Sequence, residues 1–243
     1  MWIGGHRGCG VTDRTGRVGV AQENSAQALA QAFSQGADFV EVDWVWDADG
    51  EGWLCHSMRL SEHIAVPPAE FLDQLSSAQV QQLVGLGGQP LMSLSALIQI
   101  WSDRRVNVEI KGLKGIGRER CSPLSQRLPA QWPKRWWFSS FDPLDLIEFR
   151  VRWPAAQLAL LSTEVGDHGA MYADGSECLS GSQAIDFLAD FPDIWWHPEL
   201  TDRPNFDRTQ VGWCASPAAE QANSLDGLTG LITDRLDAWR PTE

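Results

Sequence analysis

The stretch GADFVEVDWVW, residues 36–46, decides the fold of this chain. It begins at a glycine and continues as an apolar run, which predicts a strand over residues 38–46. Glu41 and Asp43 lie two positions apart in this run, so both side chains point to the same face of the strand. A strand that ends in acids at one edge of a sheet indicates an active site rather than a core.

The residues that follow this strand predict a hairpin. The sequence DADG at 47–50 is a turn signal, and WLC at 53–55 is strand-like again. A parallel crossover needs a dozen or more residues, so a turn this short predicts a β-hairpin over residues 44–55. The hairpin folds the chain back and places His56 near the two carboxylates of the preceding strand.

Strands and helices alternate along the rest of the chain. Without the hairpin arm, eight parallel-type strands are predicted to end near His6, Asp43, Glu109, Ser140, Leu161, His197, Cys214 and Thr233. Alternating strands and helices predict a parallel sheet, and eight units predict a closed barrel. The predicted fold class is therefore α/β, a single-domain (β/α)8 TIM barrel over residues 1–243. The β-hairpin follows the second strand, and a small helical insertion occupies about residues 57–90.

Helix start and stop signals support this alternation. Asn24 or Ser25 can cap a helix whose apolar residues recur at helical spacing and which Gly36 ends. Ser93 precedes a second periodic segment, and Asp142-Pro143 places an acidic cap before a proline in the first turn. These signals predict helices between the strands, and they leave the polar strand ends together at one edge of the barrel.

Composition limits the classes of partner. The chain has 243 residues and a formal net charge of −13, which argues against nucleic acid or an anionic membrane as the main partner. Its five cysteines form no CxxC pair, which favours reduced thiols in the cytoplasm over a zinc site. No signal-peptide pattern is visible, and no stretch approaches the roughly 18 apolar residues of a spanning helix. We expect a cytoplasmic protein without stable membrane association, and the oligomeric state is left open.

The polar residues at the predicted strand ends form three chemical groups. They are the carboxylates Glu41, Asp43 and Glu109, the histidines His6 and His56, and the basic pair Arg7 and Lys111. Carboxylate oxygens suit Mg²⁺ or Ca²⁺ and disfavour zinc. Imidazoles transfer protons near neutral pH, and a basic pair can hold an anion. This set predicts metal-assisted attack on a phosphate ester.

Each of these assignments has a structural alternative. The two strand acids would be solvated if their face were exterior, and Glu109 could simply pair with Lys111. The two histidines could be buried, neutral and structural. Glu23 could cap the following helix or bond Arg7 in the site. Two acids in one barrel mouth repel each other and a cation resolves that repulsion, so we favour the functional interpretation.

A known family carries the same motifs in the same order. The matching pieces are His6-Arg7-Gly8, Glu23-Asn24-Ser25, residues 36–43, Asp49-Gly50, His56 with Leu60, Glu109-Ile110-Lys111, Ser139-Ser140-Phe141-Asp142, Trp213 and Thr233-Asp234-Arg235. On these motifs the chain resembles the glycerophosphodiester phosphodiesterases, which are barrels related to phosphatidylinositol phospholipases C. His-Arg-Gly alone is a weak signal, whereas its conjunction with the Glu-x-Asp strand, the hairpin histidine and Glu-Ile-Lys is specific.

The resemblance implies a reaction and a role for each site residue. The family hydrolyses glycerophosphodiesters to glycerol 3-phosphate and an alcohol with a divalent cation, here expected to be Mg²⁺ or Ca²⁺. By similarity, the acid/base pair is His6 and His56, the metal ligands are Glu41, Asp43 and Glu109, and the residues beside the phosphate are Arg7 and Lys111. We count Glu23 with the substrate- and phosphate-binding residues as the partner of Arg7. The head group, the division of acid and base between the histidines, and cyclic-phosphate against direct water attack are left open.

The resemblance departs at one position beside the proposed catalytic machinery. Family members commonly carry an aspartate directly after the second histidine, where it would orient or charge-tune the imidazole, and this chain has Ser57. Two alternatives therefore stand beside the main prediction. One is a phospholipase-type diesterase that acts on a lipid or lysolipid on the same scaffold. The other is a catalytically impaired barrel that binds a phosphodiester.

Overall fold

A parallel barrel is the centre of the structure. The computed structural model describes residues 1–9, 21–111, 128–163, 178–201, 203, 206–213 and 224–239. Its strands are β1 (Trp2–Gly5), β2 (Phe39–Trp46), β3 (Gly52–Leu54), β4 (Val106–Ile110), β5 (Trp136–Ser140), β6 (Gln157–Ser162), β7 (Trp195–Pro198), β8 (Val211–Gly212) and β9 (Gly230–Thr233). Cys214, the predicted end of one strand, lies outside the described residues.

The order of the strands confirms the predicted barrel. Neighbouring strands run β7-β6-β5-β4-β2-β1-β9-β8, and every neighbouring pair on this path is parallel. Parallel bridges from Trp196 to Gln210 and from Glu199 to Trp213 join β7 to the segment around β8. These bridges nearly close the sheet, so the fold is a (β/α)8 TIM barrel, as the alternation of strands and helices predicts.

The remaining strand, β3, forms the predicted hairpin. It pairs antiparallel with β2, and Trp44 lies opposite Leu54. The Asp47 side chain holds the turn, because its Oδ1 accepts the backbone N–H groups of Asp49 and Glu51 and its Oδ2 accepts Trp53 Nε1–H. The Asp47 carboxylate can be buried because three donors satisfy its two oxygens.

Helices cover the barrel, and three of them begin at the predicted caps. They are α1 (Ala26–Ser34), α2 (Ser77–Val80), α3 (Leu94–Trp101), α4 (Pro143–Arg152), α5 (Gly181–Asp190) and α6 (Leu236–Trp239). Ser25, Ser93 and Asp142 accept backbone N–H groups in the first turns of α1, α3 and α4, so they are N-caps. Over the described ranges, none of the helices combines the length and the hydropathy that a membrane crossing requires.

The segment after the hairpin packs on its own apolar cluster. Short 3₁₀ helices span Leu60–Glu62 and Leu72–Gln74, and α2 follows them. Leu60, Leu72 and Val80 from this segment bury their side chains against Val45 and Trp53 of the hairpin. The small helical insertion thus packs on the hairpin that carries His56. The assignment of the whole chain to a single domain stays a prediction.

The end of β1 is too crowded for any side chain at Gly5. A Cβ added there would lie 1.7 Å from the carbonyl oxygen of Gly8, which is backbone and cannot rotate away. We expect Gly5→Ala to lower the free energy of unfolding by about 1–3 kcal/mol or more, which urea denaturation measures. Gly230→Ala is the control, because its Cβ would meet its nearest atom at 3.3 Å. Equal effects of the two substitutions would contradict the crowding argument.

Candidate active site

Three carboxylates converge at the carboxyl ends of β2 and β4. Glu41 and Asp43 lie on one face of β2, and the strand register places Asp43 beside Glu109 of β4. One oxygen of each carboxylate lies within 4.8 Å of the others, and all three side chains are buried. A buried set of three oxygen donors at this spacing suits a hard divalent cation.

The electrostatics of this cluster also fit a cation. Burial and the nearby Asp43 raise the pKa of Glu41 to about 8, and burial raises the pKa of Glu109. The pKa of Asp43 behaves oppositely: burial raises it, but Lys111 and Arg7 outweigh burial and hold it well below its usual range. Glu41 Oε1 is buried and has no hydrogen-bond partner among the described residues. The three buried carboxylates thus carry more negative charge than Arg7 and Lys111 can neutralise. A cation ligated by the carboxylates would lower the pKa of Glu41 and favour its ionised form.

The predicted phosphate-binding bases are packed into the same cluster. Lys111 Nζ lies 3.0 Å from Asp43 Oδ1 and 2.5 Å from Glu109 Oε1. Arg7 Nε lies 3.3 Å from Asp43 Oδ2. Both bases are therefore held at the mouth of the barrel beside the carboxylates, where they can also face an anion. Glu109 therefore pairs with Lys111, which is the structural alternative considered from the sequence. It also lies close to Glu41 and Asp43.

A strained turn brings Arg7 into the site. Arg7 has a φ of 51°, a left-handed conformation that is uncommon for a residue with a side chain, and Gly8 follows with a φ of 101°. The turn aims the Arg7 N–H at Glu41 Oε2, 2.9 Å away, and Arg7 NH1 at Glu23 Oε2, 3.0 Å away. Since Ser25 caps α1, the structure decides between the two roles of Glu23: it bonds Arg7.

His6 has a carboxylate partner that the sequence reasoning missed. Asp234 Oδ1 accepts His6 Nδ1–H at 2.7 Å, and His6 Nε2 lies 4.0 Å from Glu41 Oε2. Burial and Arg7 act to lower the pKa of His6, but the hydrogen bond to Asp234 and the charge of Glu41 outweigh them and raise it. The available signal was Thr233-Asp234 directly after the last strand, because β9 pairs with β1 when the barrel closes.

His56 lies on the return arm of the hairpin, as predicted. The preceding residue, Cys55, donates its N–H to the carbonyl of Asp43 and so draws the arm to the end of β2. Burial and the positive charge of Lys111 lower the pKa of His56 to about 2, although Asp43 opposes them. The two histidines of the site therefore have environments that move their pKa values in opposite directions.

Asn24 is a second residue of the site whose position the sequence reasoning did not assign. Its Nδ2 donates to Asp43 Oδ2 at 2.9 Å, and its Oδ1 accepts the Asp43 N–H at 3.0 Å. Asn24 has a φ of 57°, and its own N–H donates to the Arg7 carbonyl. This clamp orients Asp43 and ties it to the Arg7 turn.

All eight site residues predicted from the sequence lie in one cluster.

Comparison with known proteins agrees with this architecture. A family model described as "Glycerophosphoryl diester phosphodiesterase family" matches residues 6–188. A phosphodiesterase of Oleispira antarctica in complex with the product sn-glycerol-3-phosphate is 20% identical, with a TM-score of 0.71, over 98% of this chain and 94% of that one. A putative glycerophosphoryl diester phosphodiesterase of Agrobacterium tumefaciens is 18% identical, with a TM-score of 0.72, over 99% and 97%. No curated protein sequence matches the chain.

Proposed function

Because the chain belongs to the glycerophosphoryl diester phosphodiesterase family and is an enzyme of that class, we propose that it hydrolyses glycerophosphodiesters with one divalent cation and two histidines. The products are glycerol 3-phosphate and an alcohol. One observation carries the proposal: the buried carboxylates of Glu41, Asp43 and Glu109 converge at the barrel mouth, with histidines and bases around them.

The carboxylate cluster is the proposed metal site. Its oxygen donors suit Mg²⁺ or Ca²⁺, and the raised pKa of Glu41 supports a role that requires a compensating positive charge. When bound, the cation supplies a Lewis acid and template for the phosphate oxygens and lowers the pKa of a neighbouring glycerol hydroxyl. Asn24 keeps Asp43 in the orientation for this role through its two hydrogen bonds.

The two histidines divide the proton transfers between them. His6 is the proposed general acid, because its bond to Asp234 favours the protonated ring and leaves Nε2 toward the site. His56 is the proposed general base, because its surroundings favour the neutral ring. Environments that push two titratable groups apart in pKa are typical of an acid/base pair. The base removes the proton of the attacking nucleophile, which is a glycerol hydroxyl or water, and the acid protonates the leaving alcohol oxygen. If the glycerol hydroxyl attacks, water then opens the cyclic phosphate to give glycerol 3-phosphate.

Arg7 and Lys111 are the proposed phosphate-binding residues. Both lie beside the carboxylates that would hold the cation, so an anion bound to the cation would also meet their N–H groups. They stabilise the charge that develops on the phosphate oxygens. Glu23 belongs to this set because it holds the guanidinium of Arg7 through NH1.

A chelation experiment tests the proposed function. Protein freed of metal with EDTA is expected to release no glycerol 3-phosphate from glycerophosphocholine, because the carboxylates alone repel the phosphate. Addition of Mg²⁺ or Ca²⁺ should restore release, which a coupled glycerol-3-phosphate assay measures. The Oleispira antarctica relative with bound sn-glycerol-3-phosphate supports the choice of product. Undiminished turnover in the chelated protein would contradict metal dependence, and absence of turnover with either ion would contradict the substrate class.

One surface feature favours a lipid-like substrate as the second candidate. Val84 and Leu86 are 56% and 52% exposed in the insertion, and the neighbouring Gly87 N–H donates to the Gln22 side chain, next to Glu23. An apolar tip beside the site would suit an acyl chain. Faster release from a lysophospholipid than from glycerophosphocholine would favour this candidate. A cytoplasmic location without stable membrane association stays a prediction from composition.

A further inference from the structure

The residue after His56 supplies no charged partner to the imidazole. Ser57 uses its hydroxyl locally, because Ser57 Oγ accepts the Arg59 N–H at 3.0 Å and so closes a short turn. The main chain of Ser57 has a different partner. Its N–H donates to His63 Nε2 at 3.2 Å, across the turn that carries the chain from β3 into the insertion.

The ring of His63 is oriented by the hydrogen bond that its Nε2 accepts from the Ser57 N–H. Because Nε2 accepts the Ser57 N–H, the proton of the neutral ring is on Nδ1. His63 Nδ1 lies 3.9 Å from Glu23 Oε1, so the N–H faces a carboxylate. Burial lowers the pKa of His63 and favours this neutral form, although Glu23 opposes it. The His63 side chain is only 9% exposed, which limits competition from water.

The backbone around His63 is also anchored. The His63 N–H donates to the Leu60 carbonyl at 3.0 Å, and the His63 carbonyl accepts the Leu86 N–H at 2.8 Å. The imidazole is therefore presented by a fixed segment of the insertion rather than by a free loop. A bond from such a segment to Ser57 restricts the main chain one residue after His56.

The contacts of His63 continue into the cluster described above. Glu23, which faces His63 Nδ1–H with one oxygen, accepts Arg7 NH1 with the other at 3.0 Å. Arg7 in turn lies 3.3 Å from Asp43. One histidine of the insertion thus bonds the segment that carries His56 and lies near the carboxylate that holds Arg7.

We propose that His63 is a positioning residue that holds the His56 segment in place beside the site, a role that rests on the proposed function. It acts through the Ser57 N–H, and it does not touch the reacting atoms. A carboxylate at position 57 would act on the imidazole directly, whereas His63 acts on the backbone beside it. The insertion thereby contributes to catalysis through His63, which lies outside the barrel itself.

Two substitutions of similar size separate this role from simple packing. His63→Leu fills the space but accepts no hydrogen bond, and His63→Gln retains an oxygen that can accept the Ser57 N–H. We expect His63→Leu to lower kcat for glycerophosphocholine by about tenfold or more with KM within about twofold, because small misplacements of catalytic groups cost rate. His63→Gln should recover most of that kcat. Ser61→Ala, an exposed change in the 3₁₀ helix that ends just before His63, should leave kcat unchanged.

Two outcomes of these assays would overturn the proposal. One is a folded His63→Leu protein with wild-type kcat. The other is a His63→Gln protein as slow as His63→Leu, because the hydrogen bond would then be irrelevant.

A measurement on the unsubstituted protein tests the same bond without any assay of turnover. The Ser57 amide should exchange its hydrogen slowly in the wild type and faster in His63→Leu, measured by NMR. Fast exchange in the wild type would overturn the positioning role even if every variant misfolds. Absence of diesterase activity with a protected Ser57 amide would instead contradict the proposed function alone.

Discussion

His56→Ala is expected to lower kcat for glycerophosphocholine by about 10²–10⁴-fold, the usual contribution of a positioned general base. The substitution removes an imidazole beside the carboxylate cluster that burial and the charge of Lys111 keep neutral. His6→Ala should cost a similar factor, and the double variant should lose less than the product of the two, because residues that act as a unit are not additive. Full activity in either single variant would contradict the proposed roles.

The identity of the leaving group separates the acid from the base. A glycerol phosphodiester of p-nitrophenol needs no protonation of its leaving oxygen, so His6→Ala should regain most of its rate with this substrate. His56→Ala should stay slow, since the nucleophile still has to lose a proton. The ratio of rates on the activated and natural substrates is the measurement. Recovery by His56→Ala instead of His6→Ala would show that the assignment is reversed.

Glu41→Gln is expected to weaken cation binding strongly while the fold persists. The amide keeps the shape of the side chain and can still accept the Arg7 N–H, but it removes one negative charge from the cluster. We expect affinity for Mg²⁺ or Ca²⁺ to fall by about 100-fold or more and kcat/KM by about 10³-fold, which is about 4 kcal/mol of transition-state stabilisation. Titration calorimetry measures the first effect. The matched control is Asp190→Asn, an exposed acid at the end of α5.

Glu41→Gln is also expected to raise the free energy of unfolding when metal is absent. Glu41 has a pKa of about 8 in the fold against 4.5 ordinarily, so the folded state binds the extra proton between these values. The free energy of unfolding of the metal-free wild type therefore falls as the pH rises through this window. Glu41→Gln should lack that part of the decline and unfold at higher urea concentration at pH 8 in EDTA. Parallel pH profiles of the two proteins would contradict the raised pKa of Glu41, and equal affinity for the cation would exclude Glu41 as a ligand.

The fold followed from patterns that act over a few residues. Apolar runs of strand length alternate with segments of helical period, and caps such as Ser25, Ser93 and Asp142 occur where α1, α3 and α4 begin. The hairpin followed from the length of the turn around Asp49, which is too short for a crossover. These signals are local in sequence, so they survive without knowledge of the tertiary contacts.

The first layer of the site was predictable for a related reason. The carboxyl ends of parallel strands meet at one edge of a barrel, so Glu41, Asp43 and Glu109 had to approach one another once β2 and β4 were neighbours. The alternation of side chains along β2 put the two acids on one face. The resemblance to a family added roles to residues that this geometry had already gathered.

The partners of those residues were not predictable in the same way. Asp234 meets His6 because β9 pairs with β1, and Asn24 meets Asp43 because the chain turns through Arg7 with a positive φ. His63 carries no comparable signal, because no periodicity or motif relates it to Ser57 or Glu23. Each contact joins segments whose separation in sequence carries no local signal.

By itself, the sequence determined the barrel, the hairpin and the cluster of acids, histidines and bases at the strand ends. Those features depend on hydrophobic periodicity, turn length and side-chain alternation, which are set within a few residues. Only the tertiary structure decided which partner each polar group has: Asp234 for His6, Asn24 for Asp43 and His63 for the Ser57 N–H. The physical reason is that a hydrogen bond requires placement to within a fraction of an ångström, and barrel closure and loop packing set that placement.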